Sequence, residues 1–436
     1  MIWRMFLMIK ALQNSNVLWK DLPWETFQRT VSNLQRRIYE AKLQNNYQNI
    51  IKLQKLLINS KSAKFLAVYH LSKYKLQNTV LVQRNNPFLL SDEQKFEVVN
   101  QLNEIENWKH HKIYKHFNIN STHSRYPFIF LSIKDQAAHL LIKYALEPCC
   151  EAYFSPYSYG FRPSVNIYEI QRDILYYFTG LSKRNGAQIL IVNFEQCLND
   201  VDHNKLLSSV ILPTNIKNII WKALKAGLDL TPPLYLEETR HGKILTPLLT
   251  NILLHGVENL SSESIRYLNT IIFFLKNTEN PYNILQKVYD LLKEKRLDPN
   301  KAKIKITSPQ EGFDFLYWHF KKTSQDKVFS IPNKNSLKKI KKQIKVTLRD
   351  TRYSMEERLE KIKFYYSQWW KYHKFCNMNL IKSSLWGMRK STYKYIRKAT
   401  KINIETAGIY VRNIFSGHKY LANGYIKKYI KNFYDN

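Results

Sequence analysis

Residues 187–194, AQILIVNF, constrain the fold most. The run is apolar almost throughout, rich in β-branched side chains and short for a helix, so it reads as a strand buried on both faces. Two further apolar runs, IRYLNTIIFFL at 265–275, meet at Asn269–Thr270 and read as a β-hairpin whose turn carries Leu268–Thr270. GFDFLYWHF, 312–320, alternates aromatics like another strand.

Around these runs the pattern is helical. Phe27, Val31, Leu34, Ile38 and Ala41 fall at spacings of 4, 3, 4 and 3 within 25–43, one stripe of a 3.6-residue period. Helices are also expected over Ile50–Ser60, with Ile50, Leu53, Leu56 and Leu57 inward, and over Lys61–Lys73. Residues 85–125 are polar, with a turn signal at Asn85–Pro87. A helix then runs from about Asp135 to Pro148, and others cover Ile216–Leu228 and Pro281–Lys295. Thr246 before Pro247 predicts an N-cap opening a helix over 246–260. In 334–349, Leu337, Ile340, Ile344 and Leu348 share one face. Ser354 and Glu357 form a capping box for the next helix, which should bury Leu359, Ile362, Tyr366 and Trp369.

Charge narrows the function. The 436 residues hold 68 Lys+Arg against 34 Asp+Glu, a net charge of +34. With 44% hydrophobic and 14% aromatic residues, the chain is no disordered basic tail and can bury a core. Such an excess on a folded body points to a polyanion, most commonly nucleic acid. Four cysteines without a CxxC pair or Cys/His cluster argue against a disulfide framework or structural zinc and fit a reducing compartment. Eleven glycines argue against glycine-rich phosphate loops. No apolar run reaches the ~18 residues of a membrane span. The start, MIWRMFLMIKALQ, lacks the Ser/Arg richness of a transit peptide and reads as a packed element, with a targeting remnant as the alternative.

The cations cluster. Arg29, Arg36, Arg37 and Lys42 lie mostly off the apolar stripe of 25–43. Lys338, Lys339, Lys341, Lys342 and Lys345 occupy the polar side of 334–349. Beyond these, Lys371, Lys374, Arg389, Lys390, Lys394, Arg397 and Lys398 interleave with Trp369, Trp370, Tyr372, Trp386, Tyr393 and Tyr395. Interleaved aromatics and cations are the pattern by which proteins stack on unpaired bases and hold phosphates, although for any single aromatic a place in the core is the stronger expectation.

In their order, the motifs resemble those of group II intron-encoded reverse transcriptases and maturases. VSNLQRRIYEA and KLQKLLINSKSAKFLAV resemble that family's N-terminal extension, and IKDQAAHLLIKYALEPCCEAYFSPYSYGFRP resembles its fingers motif. ILIVNFEQCLNDVDHNKL resembles the first palm strand, TPLLTNILLH the palm helix, and IRYLNTIIFFL stands where the YADD hairpin would be. GFDFLYWHF resembles the last palm motif, and FYYSQWWKYHKF the maturase-specific X domain. The resemblance implies an α+β, right-hand polymerase-like reverse transcriptase fold. Its parts would be a helical N-terminal extension (1–85), fingers and palm (86–325), and a helical thumb/X domain (326–436). It also adds to the expected RNA-binding set Lys134, where the family's basic IKDR reads Ile133-Lys134-Asp135-Gln136, and Arg162, in the region that lines the family's template and nucleotide path.

The departures from the family are chemical. Two divalent ions clamp the reacting oxygens in nucleotidyl transfer, and Mg²⁺ requires carboxylate oxygens. At the three family aspartates stand Asn193, Asn269 and Thr270. Leu198-Asn199 replaces the family's FD, and the primer-side region reads Arg240-His241-Gly242-Lys243. Glu195, Asp200 and Asp202 are the nearby acids, and none supplies the hairpin pair. No endonuclease motif is visible after the X region. The expectation is a catalytically inactive reverse transcriptase without a cofactor of its own, whose Mg²⁺ belongs to the intron RNA. It would act as a splicing factor on group II intron RNA and precursor transcripts, without a membrane, with a homodimer or host splicing factors left open. The alternative is an active reverse transcriptase with an atypical site. The family and the Lys/Asn-rich composition imply an organelle-encoded plastid protein, with the mitochondrion as alternative.

Overall fold

The structure, a computed structural model, describes residues 18–77, 90–116, 128–163, 165–182, 187–230, 243–276, 278–323, 327–400 and 402–415. The N-terminal MIWRMFLMIKALQ, the turn at Asn85–Pro87, Arg240–Gly242 and the last residues of the basic tail lie outside them. The elements are α1 (Trp24–Leu43), α2 (Tyr47–Asn59), α3 (Lys61–Gln77), α4 (Asp92–Gln101), β1 (Tyr114–His116) and β2 (Phe128–Phe130). Next come α5 (Ile133–Glu151), α6 (Ile167–Ser182), β3 (Gln188–Asn193), α7 (His203–Ser209), α8 (Thr214–Lys225), α9 (Thr246–Leu254), β4 (Ser264–Tyr267), β5 (Thr270–Leu275) and α10 (Pro281–Glu294). The last are β6 (Lys303–Thr307), β7 (Phe313–Phe315), β8 (Trp318–Lys322), β9 (Val328–Pro332), α11 (Lys334–Arg349), α12 (Met355–Tyr372), α13 (Lys382–Thr400) and α14 (Ile404–Phe415).

The fold is mixed α and β and mostly helical. One sheet has the order β4-β5-β3-β6, a second β7-β8-β9, and β1 pairs with β2. Ile189, Leu190 and Val192 of β3 are buried, as the two-sided apolar run predicts. The chain forms two compact units. One comprises residues 1–165, 192–271 and 284–304; the other comprises 166–191, 272–283 and 305–436.

In the first unit, α1 buries Phe27, Val31, Leu34, Ile38 and Ala41, the stripe read from spacing. It packs on α2, α3 and α5. Two expectations here are corrected. Leu56 of α2 is 54% exposed, and Gln54 is buried in its stead. α5 passes through Pro148 to Glu151. A proline removes the hydrogen bond to the carbonyl four residues back, here Tyr144. The Gln35 amide of α1 donates to that oxygen at 3.1 Å, so the freed acceptor is satisfied where the helix continues. Gln54 Nε2 likewise donates to Ala145 O (3.2 Å) and Ile211 O (2.8 Å). The polar stretch after residue 85 also holds α4, opened by a Ser91–Gln94 capping box. α9 ends at Leu254, and Thr246 is not its cap: its hydroxyl donates to Asp229 O at 3.0 Å.

In the second unit, GFDFLYWHF is two strands rather than one. Leu316 and Tyr317 take positive φ (48° and 69°), the geometry of a tight hairpin turn. Phe313 then pairs with Phe320 and Phe315 with Trp318. Phe313 and Phe320 stack at 5.2 Å, and Tyr372 of α12 stacks on Trp318 at 5.2 Å. The Ser354–Glu357 box opens α12 as expected. The buried tryptophan of that helix is Trp370, not Trp369. The half-buried Trp369 donates its indole N–H to Ser336 Oγ at 2.8 Å, and that hydroxyl lies 2.8 Å from His373 Nε2. Burial pulls His373 down to about 3, so it stays neutral there. All four cysteines are free and buried, and no described helix is long and apolar enough to cross a membrane.

Gln54→Leu strips a buried donor from two carbonyls. It should cost about 1–3 kcal/mol in urea unfolding, whereas Leu56→Ser at the exposed neighbour should stay within about 0.5 kcal/mol.

Candidate nucleic-acid interface

The hairpin and the end of β3 bring Asn193, Asn269 and Thr270 together, as expected, and the three groups bind one another. Asn193 Nδ2 donates to Thr270 Oγ1 at 2.8 Å, and its Oδ1 accepts the Glu195 N–H at 3.0 Å. The Phe194 N–H donates to Asn269 O at 2.7 Å. Amides and a hydroxyl carry no charge to hold two dications. The nearby acids are engaged otherwise. Asp202 caps α7 through the Asn204 and Lys205 N–H groups and pairs with Arg296 at 2.7 Å. Asp200 pairs with Lys301. Among the described residues, no group of three His, Cys, Asp or Glu has metal-holding geometry. The residues present therefore do not fit the metal pair of a polymerase.

The shell around this hairpin is fully built. Arg266 is 0% exposed. Its Nε donates to Glu258 Oε1 at 2.6 Å, Nη1 to Asn251 Oδ1 (2.9 Å) and Leu268 O (2.7 Å), and Nη2 to Ser158 Oγ (2.6 Å). Leu268 sits at φ +52°, a sparsely populated region for a branched side chain. The Arg266 bond to its carbonyl holds that turn. Ser158–Pro163, the SYGFRP segment, is laid beside β4: the Arg266 N–H donates to Tyr157 O and the Tyr159 N–H to Arg266 O, both at 2.8 Å. A Cβ on Gly160 would come 2.6 Å from the Leu268 nitrogen, so only glycine fits there. This network was not read from sequence, although an arginine inside an apolar strand demands a buried partner.

Arg162 is a correction to the expected basic set. Its side chain is 10% exposed, donates to both Glu151 oxygens at 2.9–3.1 Å, and reaches Ser155 O and Ser158 O. It braces the turn from within. Lys243 is likewise buried against Asp229 at 3.0 Å. The other cations of the expected set in the first unit reach the surface. Arg29 and Arg37 are exposed, and Arg36 forms an i,i+4 pair with Glu40. Lys42 is half-buried over the Tyr47 ring, and Lys134 lies 3.8 Å from Glu97.

In the second unit, Lys338, Lys339, Lys341 and Lys345 are exposed along α11 and Lys342 is half-buried. Lys371 is exposed at the end of α12, and Lys374 lies over the rings of Tyr168 (4.0 Å) and Phe375 (4.6 Å). Arg389, Lys390, Lys394, Arg397 and Lys398 all line one concavity of about 700 Å³. Trp386 and Tyr393 line it on the same helix, and α14 contributes Gly408 and Val411, two residues with no signal of their own in sequence.

Residues 19–102 match the N-terminal domain of reverse transcriptase, the segment of α1–α4. The chain is 27% identical to Maturase-like protein 1 of Euglena gracilis over 386 residues, 88% of this chain and 83% of that one. To Maturase-like protein 1 of Euglena longa it is 28% identical over 397 residues, 87% and 83% of the two chains. A protein of Schizosaccharomyces pombe described as an uncharacterized 91 kDa protein in cob intron is 33% identical over 153 residues, 31% of this chain and 18% of that one. The domain match relates residues 19–102 to reverse transcriptases. Across most of the chain the likeness is to maturase-like proteins.

Removing one partner of the buried pair should be severe. Glu258→Gln leaves the Arg266 guanidinium without its counter-charge and should cost about 3–5 kcal/mol in thermal and urea unfolding. Burial alone would raise the Glu258 carboxyl, but the Arg266 guanidinium beside it overrides this and holds it below its ordinary value. Its contribution is therefore complete above an unfolded-state pKa of about 4.3 and is lost as pH falls through the lower folded-state value. The stability gap between wild type and Glu258→Gln should narrow as the pH is taken below about 4.

Proposed function

We propose that the chain is a group II intron maturase: a splicing factor that binds the intron RNA, stabilises its compact fold and leaves the bond-breaking chemistry to the RNA and its own Mg²⁺. The likeness to maturase-like proteins over most of the chain carries this reading. The exposed cations of both units support it. Folding an RNA crowds its phosphates, and fixed Lys and Arg side chains replace part of the diffuse ion cloud.

In this reading the hairpin is catalytically silent and the protein needs no metal or organic cofactor. The fingers, palm and thumb/X arrangement of a right-hand polymerase remains as a scaffold. Asn193, Asn269 and Thr270 at the metal-holding positions support this, because their neutral oxygens lack the charge a dication pair requires. The partner is intron RNA within precursor transcripts. A plastid home, with the mitochondrion as the alternative, rests on the Lys- and Asn-rich composition and on the Euglena relatives.

Two assays test the reading. Purified protein should accelerate splicing of its group II intron transcript at limiting Mg²⁺, with affinity falling about 10³- to 10⁵-fold between 50 and 200 mM salt for six to ten phosphate contacts; an unchanged splicing rate would sink the proposal. On primed RNA with Mg²⁺ or Mn²⁺ it should make no cDNA. Robust extension would restore the reverse transcriptase as the better reading.

A further inference from the structure

The concavity on α13 and α14 carries an inference of its own, which rests on the RNA-binding reading above and makes it specific. We propose that this groove holds a short unpaired RNA strand, with a base stacked on Trp386 and the phosphates running along the cations of α13.

The first support is charge placement. α13 contains no Asp or Glu. Lys390, Lys394 and Lys398 stand at i, i+4 and i+8, so like charges face one another on successive turns, an arrangement that weakens a helix. None of these three, nor Arg397, pairs with a carboxylate among the described residues. Arg389 is partly occupied, donating to Phe415 O at 3.0 Å. The opposite face of α13 buries Leu385, Met388, Thr392 and Ile396, so the helix is fixed in rotation and the stripe has one direction to point.

Shape is the second. A solvated basic face needs no concavity, but this one is lined from α14 as well. At Gly408 an added Cβ would meet no heavy atom within 4 Å, so the groove is open there, with Val411 adding an apolar wall.

The third is Trp386. It is 62% exposed, and Lys390 Nζ lies 4.6 Å from its ring centroid. A base on that indole would bring its own phosphate toward the ammonium. Bases in a duplex have their faces covered by stacking, and the deep groove of A-form RNA does not admit side chains. An exposed indole at one end of a cation line therefore favours a strand with free base faces. From Trp386 to Lys398 the helix rises about 18 Å at 1.5 Å per residue. That spans roughly five nucleotides at a stacked spacing of about 3.4 Å.

The test uses the full chain, fluorescence anisotropy and two labelled probes at one salt concentration: an eight-nucleotide unpaired RNA and an eight-base-pair RNA duplex. Trp386→Ala should weaken the unpaired probe about tenfold or more and the duplex less than about twofold. Gly408→Leu fills the groove without changing a charge and should also weaken the unpaired probe selectively. Trp386→Phe, which keeps an aromatic face, should retain most of the affinity and serves if the leucine variant folds poorly. The proposal is overturned if Trp386→Ala binds the unpaired probe as wild type does, if it loses both probes equally, or if an acidic peptide displaces the RNA at similar concentration. Splicing stimulation by wild type alongside an indifferent Trp386→Ala would overturn the groove and leave the maturase reading intact. Selective strand binding by a wild type that never stimulates splicing would do the reverse.

Discussion

The buried pair of Arg266 and Glu258 organises the centre of the first unit. Taking a guanidinium and a carboxylate out of water costs several kcal/mol per ion, and only close pairing with nearly every donor satisfied offsets it. Arg266 meets that condition with the carboxylate, two side-chain oxygens and one carbonyl. Each acceptor lies on a different piece of chain: Ser158 before the SYGFRP glycine, Asn251 on α9, Glu258 beyond it and Leu268 in the hairpin turn. One ion thus fixes four segments relative to one another. The positive-φ Leu268 and the Gly160 backbone beneath it keep their places because of that constraint.

With the hairpin held from behind, its front can change chemistry without losing shape. Three carboxylates at one point repel one another unless cations sit among them. Replaced by two amides and a hydroxyl, the same positions attract: Asn193 donates to Thr270 and accepts from the backbone of Glu195. The hairpin closes on itself through these bonds. Glu258 and Arg266 hold the geometry whether or not the front is charged.

What was legible in the sequence follows the same physics. The α1 stripe, the β3 strand and the Ser354–Glu357 box are local patterns, and each appears where its spacing places it. The misreadings arose where a distant residue overrode a local rule. Pro148 reads as a stop, and Gln35, more than a hundred residues away, supplies the donor that lets α5 continue. Arg162 reads as a surface cation until Glu151 and two carbonyls surround it. Tandem aromatics at 369 and 370 fit a helix stripe either way, and Ser336 on α11 decides which of them keeps a polar contact. The aromatic alternation of 312–320 hides a hairpin because Leu316 and Tyr317 carry no glycine to announce the turn. For the candidate interface, the cations of α13 were visible as residues, but the groove was not, since Gly408 and Val411 are unremarkable until α14 packs against that helix.

The excess charge binds these observations to a partner. A body carrying +34 repels itself, and this self-repulsion disfavours compactness. The first unit lowers it by pairing cations internally, as with Arg162, Arg266, Lys243, Arg296 and Lys301. On α13 the pattern is the opposite, with successive lysines facing one another and no acid on the helix. A polyanion relieves that repulsion by the same contacts that give it affinity, so binding and stabilisation of this helix are linked, as for any ligand that prefers the folded state. A helix whose own charges repel one another gains from a phosphate backbone laid along it.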